Sequence, residues 1–235
     1  MSVKYKMVSD AIEKDIEDGK YNETNKLPTE DDLIALYKVS RNTIRKAVDL
    51  LVRRGIIMPI QGSGMFLRKV PTDGCINLEE FHGLTVGFRK YQVESQIIDF
   101  KIIQADAELA EKLECKEGTP LYYVERLRLV EGKKYVIEYS WFNKDIVPYL
   151  NDEILKGSIY RYITKDLKKQ IGYVDRVIEA DRLNKHDAEI LGLEEGDPAL
   201  ISINRAMLRS GAVFDYSIDI HNYKHTKFLK LSNFV

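Results

Sequence analysis

Two guanidinium groups on one strand face are the feature of this sequence best suited to holding a ligand. In the run Leu121–Val130, Arg126 and Arg128 stand two apart, which in a strand puts both on one face with their bases roughly 7 Å apart. Side by side they make a clamp for a phosphate or carboxylate. They could equally sit on a solvated face or pair with Glu125 and Glu138, and the run alone leaves that open. Glu138, on the strand that follows, could accept hydroxyls of a bound polyol or merely balance the arginines. Gly157-Ser158-Ile159-Tyr160 opens a helix whose free amides and Ser hydroxyl favour an anion, although an ordinary N-cap has the same residues.

A second chemistry lies earlier, in the stretch from Lys38 to Gly55. Ser40 is a good N-cap and Gly55 can end a helix in the left-handed conformation. Between them Ile44, Ala47, Val48 and Leu51 recur at helical spacing, leaving Arg41, Asn42, Arg45, Lys46 and Arg53 outside. Residues 38–54 carry six basic side chains against one acid, Asp49. Such a face suits phosphates, and Arg and Asn at its leading end can pair with guanine and adenine edges. A solvated basic face on an ordinary helix has the same pattern, so the context decides.

That context is supplied by the flanking segments. Ser2 can cap a helix running to about Asp18, with Val8, Ile12 and Ile16 inward and Gly19 as its stop. Thr29 caps a short second helix, with Asp32 in the capping-box position. Two helices joined by a tight turn, the second basic at its start, make a helix-turn-helix. Ile56–Ile60 and Met65–Arg68 then read as a hairpin around Gln61-Gly62-Ser63-Gly64, a wing whose small tip residues permit close approach to a sugar-phosphate strand. Charge follows the same division. The chain's net charge is only −1, yet residues 38–69 hold eight basic and one acidic side chain, while residues 8–32 hold three and nine.

Residues 5–66 resemble the winged-helix domain of the GntR family of bacterial transcription regulators. The resemblance rests on Lys26-Leu27-Pro28-Thr29-Glu30, Val39–Ala47, Leu50-Leu51, Gly55-Ile56-Ile57 and Gly62-Ser63-Gly64, in that order and spacing. It implies that Arg41, Thr43 and Arg45 contact operator DNA and that Gly62, Ser63 and Gly64 form the wing tip. With Lys38, Ser40, Asn42 and Lys46 these make up the expected DNA-binding set. One position departs: where the family commonly has Arg after Pro-Ser/Thr-Glu, this chain has Asp31. Either operator preference differs, or Lys38 and Lys46 carry more of the binding.

Val70–Gly74 reads as a linker, since Pro, Gly and Asp interrupt both periodicities, and Phe81–Thr85 opens a second domain. Beyond it the chain repeats itself. Ala110-Glu111-Lys112-Leu113 recurs as Ala188-Glu189-Ile190-Leu191, and Glu117-Gly118-Thr119-Pro120 as Glu195-Gly196-Asp197-Pro198, both at an offset of 78 residues. Each copy reads helix, glycine turn, long strand, turn, long strand, preceded by a strand at 96–105 or 171–181. Two such units merge most simply into one antiparallel sheet backed by helices, with quasi-twofold symmetry.

Residues 81–230 resemble the UTRA effector domain of the HutC branch of GntR regulators, which shares its fold with chorismate lyase. Arg126-Leu127-Arg128, Glu138, Ser158-Ile159-Tyr160 and the Gly-x-Pro turns carry the likeness. It implies that Arg126, Arg128, Ser158 and Tyr160 hold an anion and that Glu138 and Asp215 read the polar remainder of a small effector such as a sugar phosphate. His221 stands where similar sugar-phosphate binders tend to have Tyr, which puts the ligand's identity in question.

The fold class expected is thus α+β: a winged helix-turn-helix over 1–69, a linker over 70–80 and a chorismate-lyase-like antiparallel sheet domain over 81–235. No apolar run approaches the ~20 residues of a membrane span and no signal peptide is visible, so a cytoplasmic protein without membrane partners is expected. Cys75 and Cys115 are expected reduced; His221 and His225 are a metal pair only on a helix, and their stretch alternates like a strand. No metal, cofactor or catalytic constellation is indicated. The function expected is a repressor that binds a palindromic operator as a homodimer and responds to a phosphorylated small molecule; the alternative is a chorismate-lyase-like enzyme with a DNA-binding appendage. Arg45→Ala should weaken operator binding while effector binding persists; a gel shift showing unchanged operator affinity would refute the assignment.

Overall fold

The computed structural model describes residues 4–68, 74–78, 83–88 and 90–231. These divide into two compact units: 4–68 with 77–78 and 229–231, and 74–76 with 83–88 and 90–228. The linker expected over 70–80 and the domain start at Phe81 and His82 lie largely outside the described residues.

The first unit begins with α1 (Lys4–Glu17), which stops two residues before Gly19 at φ 79°. Helix α2 (Glu30–Tyr37) starts at the expected capping box: the Thr29 side chain accepts from Asp32 N–H, and the Asp32 carboxylate accepts from Thr29 N–H. Lys38 then adopts φ 51°, turning the chain tightly into α3 (Arg41–Arg53). Ser40 caps α3 by accepting from Thr43 N–H. The stripe Ile44, Ala47, Val48 and Leu51 is buried against Val8, Ile12, Leu27, Leu33 and Ile57, at about 2 kcal/mol for each large aliphatic side chain removed from water. The wing is β1 (Ile57–Ile60) paired antiparallel with β2 (Gly64–Leu67). A third strand-like contact comes from the segment before α2, where Leu27 N–H donates to Met65 C=O and Leu67 N–H to Asn25 C=O. Tail residues also belong here. Leu78 N–H donates to Leu229 C=O, and Leu231, which is buried, has its side chain against Gly55.

The second unit is a six-stranded antiparallel sheet flanked by helices. Its strands are β4 (Val93–Gln104), β5 (Pro120–Val130), β6 (Lys133–Asn143), β7 (Ile171–Arg182), β8 (Pro198–Leu208) and β9 (Val213–Asn222), ordered β4-β5-β6-β9-β8-β7. A short ribbon pairs β3 (Ile76–Asn77) with β10 (Phe228–Leu229). The internal repeat holds at the level of structure: β4 and β7, α5 (Ala107–Leu113) and α8 (Lys185–Leu191), and β5 and β8 are each offset by 78 residues. Strand order is accordingly symmetric about the β6–β9 seam, where Ser140 faces Ser217.

The sheet's two faces are covered differently. On one, α5 and α8 pack over Leu121 and Val213 and over Leu127, Ile137 and Ile220 respectively. On the other, α6 (Asp152–Lys156), α7 (Ile159–Arg161) and a π turn (Tyr162–Asp166) place Leu155, Ile159 and Ile163 on Val124, Phe142, Ala206 and Phe214. A short α4 (Leu84–Gly87) precedes β4. No helix among the described residues is long and apolar enough to cross a membrane, and both cysteines are free.

Gly55 is the position where backbone and packing coincide. It sits at φ 68°, and a Cβ built there would lie 2.4 Å from the Leu231 side chain. Gly55→Ala should therefore destabilise the first unit by about 1–3 kcal/mol. Thermal unfolding followed by circular dichroism checks this, and an unchanged midpoint would count against the packing described.

Candidate DNA-reading helix and effector pocket

Helix α3 presents Arg41, Asn42, Arg45, Lys46 and Arg53 to solvent, with Lys38 and Ser40 exposed at its approach and Thr43 half-buried. The Ser40 and Thr43 hydroxyls are 2.9 Å apart, so Thr43 is tied into the cap. Neither leading arginine is free. Arg41 is 2.5 Å from the Asp31 carboxylate, and Arg45 Nε donates to Glu30 at 3.1 Å. At the wing, Gly62 and Gly64 have φ of 74° and 115°, so the tip depends on residues that tolerate the left-handed region. Ser63 N–H closes that turn on Ile60 C=O. A cationic, donor-rich helix end beside a glycine hairpin is a surface that can follow phosphates and read base edges.

In the second unit the face carrying α6 and α7 turns polar toward one end. One rung across all six strands reads Ile97, Arg126, Glu138, Asp219, Ser202, Ile178; the next reads Phe100, Val124, Ser140, Ser217, Asn204, Arg176. Glu138 lies between the paired arginines: Arg126 donates to it at 2.5 Å and Arg128 at 3.2 Å. Arg126 also donates to Leu155 C=O, which fixes it to α6, and Arg128 donates to the Thr85 hydroxyl. Asp219 accepts from Asn204 at 2.8 Å and from Ser202 at 3.2 Å, and Arg176 donates to Asn204 at 2.6 Å. Tyr160 donates to Asp215 at 2.6 Å, and His221 Nε2 is 2.9 Å from the Ser202 hydroxyl.

Burial sets the protonation of this cluster. Desolvation would raise Glu138, but the Arg126 and Arg128 charges prevail and hold it below the usual carboxylate value. At Asp215 and Asp219 burial prevails, with the nearby Glu138 charge adding to it, and each is pushed up to about 7. Burial likewise drives His221 down to about 3, so it is neutral at physiological pH, and lifts Tyr160 well above its ordinary value. Several buried atoms here have no protein hydrogen-bond partner: Nε of Arg126 and Arg128, Asp215 Oδ1 and His221 Nδ1. Buried polar atoms are ordinarily satisfied, so these four leave hydrogen-bonding capacity open on this face.

The sequence-derived residues are thus mostly brought together. Arg126, Arg128 and Glu138 form one network; Asp215, Tyr160 and His221 adjoin it on the same face. Ser158 stands apart in its contacts. Its hydroxyl caps α7 by accepting from Arg161 N–H, and it lines an open groove of about 400 Å³ with Asn151, Arg161, Tyr162 and Asp166. Glu125 does not balance the arginines; it faces the opposite side, bonded to His186 at 2.7 Å and to the Tyr123 hydroxyl. Asp219, Ser202, Asn204, Arg176 and Thr85 were not anticipated. For Ser202, Asn204 and Asp219 the signal was present in Ile201-Ser202-Ile203-Asn204 and Ser217-Ile218-Asp219-Ile220, where polar residues take every second place in apolar strands. His221 lies in β9 and His225 in the turn after it, so they do not share a helix face; no group of three His, Cys, Asp or Glu suited to a metal occurs among the described residues.

The family model described as bacterial regulatory proteins, gntR family, matches residues 4–67, and the UTRA domain model matches residues 89–227. The chain belongs to the GntR family of transcriptional regulators. It is 36% identical over 231 residues to the HTH-type regulator YydK of Bacillus subtilis, covering 98% of each chain, and 32% identical to GmuR of the same organism, covering 97% of each. The repressor MngR of Escherichia coli, whose name refers to mannosyl-D-glycerate transport and metabolism, is 27% identical, over 95% of this chain and 93% of its own. The crystal structure of YydK superposes with a TM-score of 0.84 at 35% identity, covering 98% of this chain and 100% of that one. GntR regulators with UTRA domains thus share both units of this chain, and the DNA-binding class follows from the first.

The raised value at Asp219 has a defined sign. A carboxylate that titrates near 7 folded and near 4 unfolded keeps a proton the unfolded chain releases, so stability is subtracted as pH rises through that window and nothing is lost below it. Asp219→Asn should therefore be more stable than the parent by about 1–2 kcal/mol at pH 8, the gain vanishing by pH 4. Urea unfolding at the two pH values measures this, and an equal gain at both would refute the assignment.

Proposed function

We propose that this regulator is a repressor of the HutC branch, acting in the cytoplasm as a homodimer on a palindromic double-stranded operator. Its effector is a small polar molecule with an anionic group, of the sugar-phosphate class, taken up on the Arg126 face of the second unit. The observation that carries the effector half is the set of buried, unsatisfied polar atoms around Arg126, Arg128, Asp215 and His221. Two guanidinium groups fixed by Glu138 supply an anion's partners, while Asp215, Asp219, Ser202 and Asn204 supply acceptors and donors for hydroxyl groups. The repressor reading is supported by relatives that carry that name, MngR among them. A dimer is expected because one winged helix buries too little DNA surface for tight specificity. The effector acts by linkage: it shifts operator affinity by as much as it prefers one arrangement of the dimer, typically by ~1–3 kcal/mol. The enzyme alternative finds no support among these relatives, which are regulators.

A thermal-shift screen over sugar phosphates and their unphosphorylated parents, followed by gel shifts with each stabilising compound, tests the reading. Arg126→Ala and Arg128→Ala should each keep operator binding and lose the response to the compound that shifts the parent. A normal response in both would sink the pocket assignment.

A further inference from the structure

Helix α2 starts with Glu30 and Asp31, and both carboxylates are turned onto α3. Asp31 Oδ1 is 2.5 Å from Arg41 Nη2; Glu30 Oε2 is 3.1 Å from Arg45 Nε and 3.6 Å from Arg41 Nη1. The Thr29–Asp32 capping box fixes the turn from which Asp31 projects. Yet the Asp31–Arg41 pair has little to do with holding the unit together. The side chains are 74% and 53% exposed, and ion pairs so open to water contribute almost nothing to stability.

An acid next to a DNA-facing surface also carries a cost in binding, because it repels phosphates whatever the base sequence. What it can supply is orientation. A free arginine samples many rotamers and settles on the nearest phosphate, whereas a guanidinium already bonded along one edge presents its remaining N–H groups in a fixed plane. Bidentate pairing with a base edge requires such a plane. We propose that Asp31 is a positioning residue for Arg41, lowering this regulator's affinity for DNA in general while raising its discrimination between sequences. The inference rests on α3 being the operator-reading helix.

The test uses the full-length chain and a duplex that the parent selects from random-sequence DNA, with a scrambled duplex of equal composition as reference. Affinities for both are measured by fluorescence anisotropy at one salt concentration for the parent, Asp31→Ala, Asp31→Asn, Arg41→Ala and the Asp31→Ala/Arg41→Ala double variant. Asp31→Ala should bind the scrambled duplex more tightly, and its preference for the selected duplex should fall about ten-fold, the worth of one good base pairing. Asp31→Asn removes the same charge but keeps an oxygen that can accept from Arg41. It should share the tighter general binding and keep most of the discrimination. With Arg41 already replaced, losing Asp31 should not reduce discrimination further. The proposal is overturned if Asp31→Ala leaves the preference unchanged, if Asn and Ala behave alike, or if the loss persists without Arg41. A parent chain that enriches no sequence would overturn the operator reading itself and this inference with it.

Discussion

Glu138 clamped between Arg126 and Arg128 is the interaction on which the second unit's chemistry depends. Ions taken out of water cost several kcal/mol each unless they are paired and hydrogen-bonded, and here one carboxylate serves two guanidinium groups. The neighbouring sheet positions add further ionisable groups: Arg176 accompanies Asp215 and Asp219 on the same face. Buried Arg126 and Arg128 thus share one carboxylate, with half-buried Arg176 standing near Asp215 and Asp219, which is how charged groups persist on this face of the sheet. The balance also shapes the proposed binding. An anion arriving at Arg126 and Arg128 competes with Glu138 for them, so its affinity is a difference between two pairings and not the full strength of either.

Symmetry explains how the sheet came to hold such a cluster without losing its core. At an offset of 78 residues, Arg126 corresponds to Asn204, Arg128 to Ala206 and Val124 to Ser202. Backbone pairing is the same in both halves, yet the polar side chains are not. Each half alone would leave a sheet edge at the β6–β9 seam, so the two are bound to one another by hydrogen bonds that do not depend on side-chain identity. Side chains at corresponding places were therefore free to differ, and the differences make the polar cluster.

How far the sequence could be read follows from what kind of information each feature carries. The caps at Thr29, Ser40 and Gly55, the apolar stripe of α3 and the glycine-tipped wing are local, and each formed where its residues indicated. The repeat was legible because two copies in one chain serve as their own comparison. Partner choice was not legible in the same way. Arg126 had two acids within reach in the sequence, Glu125 and Glu138, and only strand alternation separates them: Glu125 stands next in the chain and so points to the other face. Asp219, Ser202 and Asn204 escaped notice because a polar residue on an interior strand looks unremarkable singly; only the registered rung through Arg126, Glu138, Asp219 and Ser202 assembles them.

The arginines of the two units work under opposite dielectric conditions, and this separates their roles. Arg41 and Arg45 hold their carboxylates in water, where attraction at a few ångströms is worth ~1 kcal/mol and is screened by salt within about 10 Å. Such pairs are only weakly committed, which suits a surface that must find, test and release DNA. Arg126 and Arg128 are shielded from solvent, so the same pairing is stronger, barely screened, and costly to leave unmade. A ligand group that enters there must match the existing geometry closely, since every displaced bond has to be replaced. Weakly committed cations outside and tightly committed ones inside are what the proposed function requires of a chain that samples many DNA sequences yet answers to few small molecules.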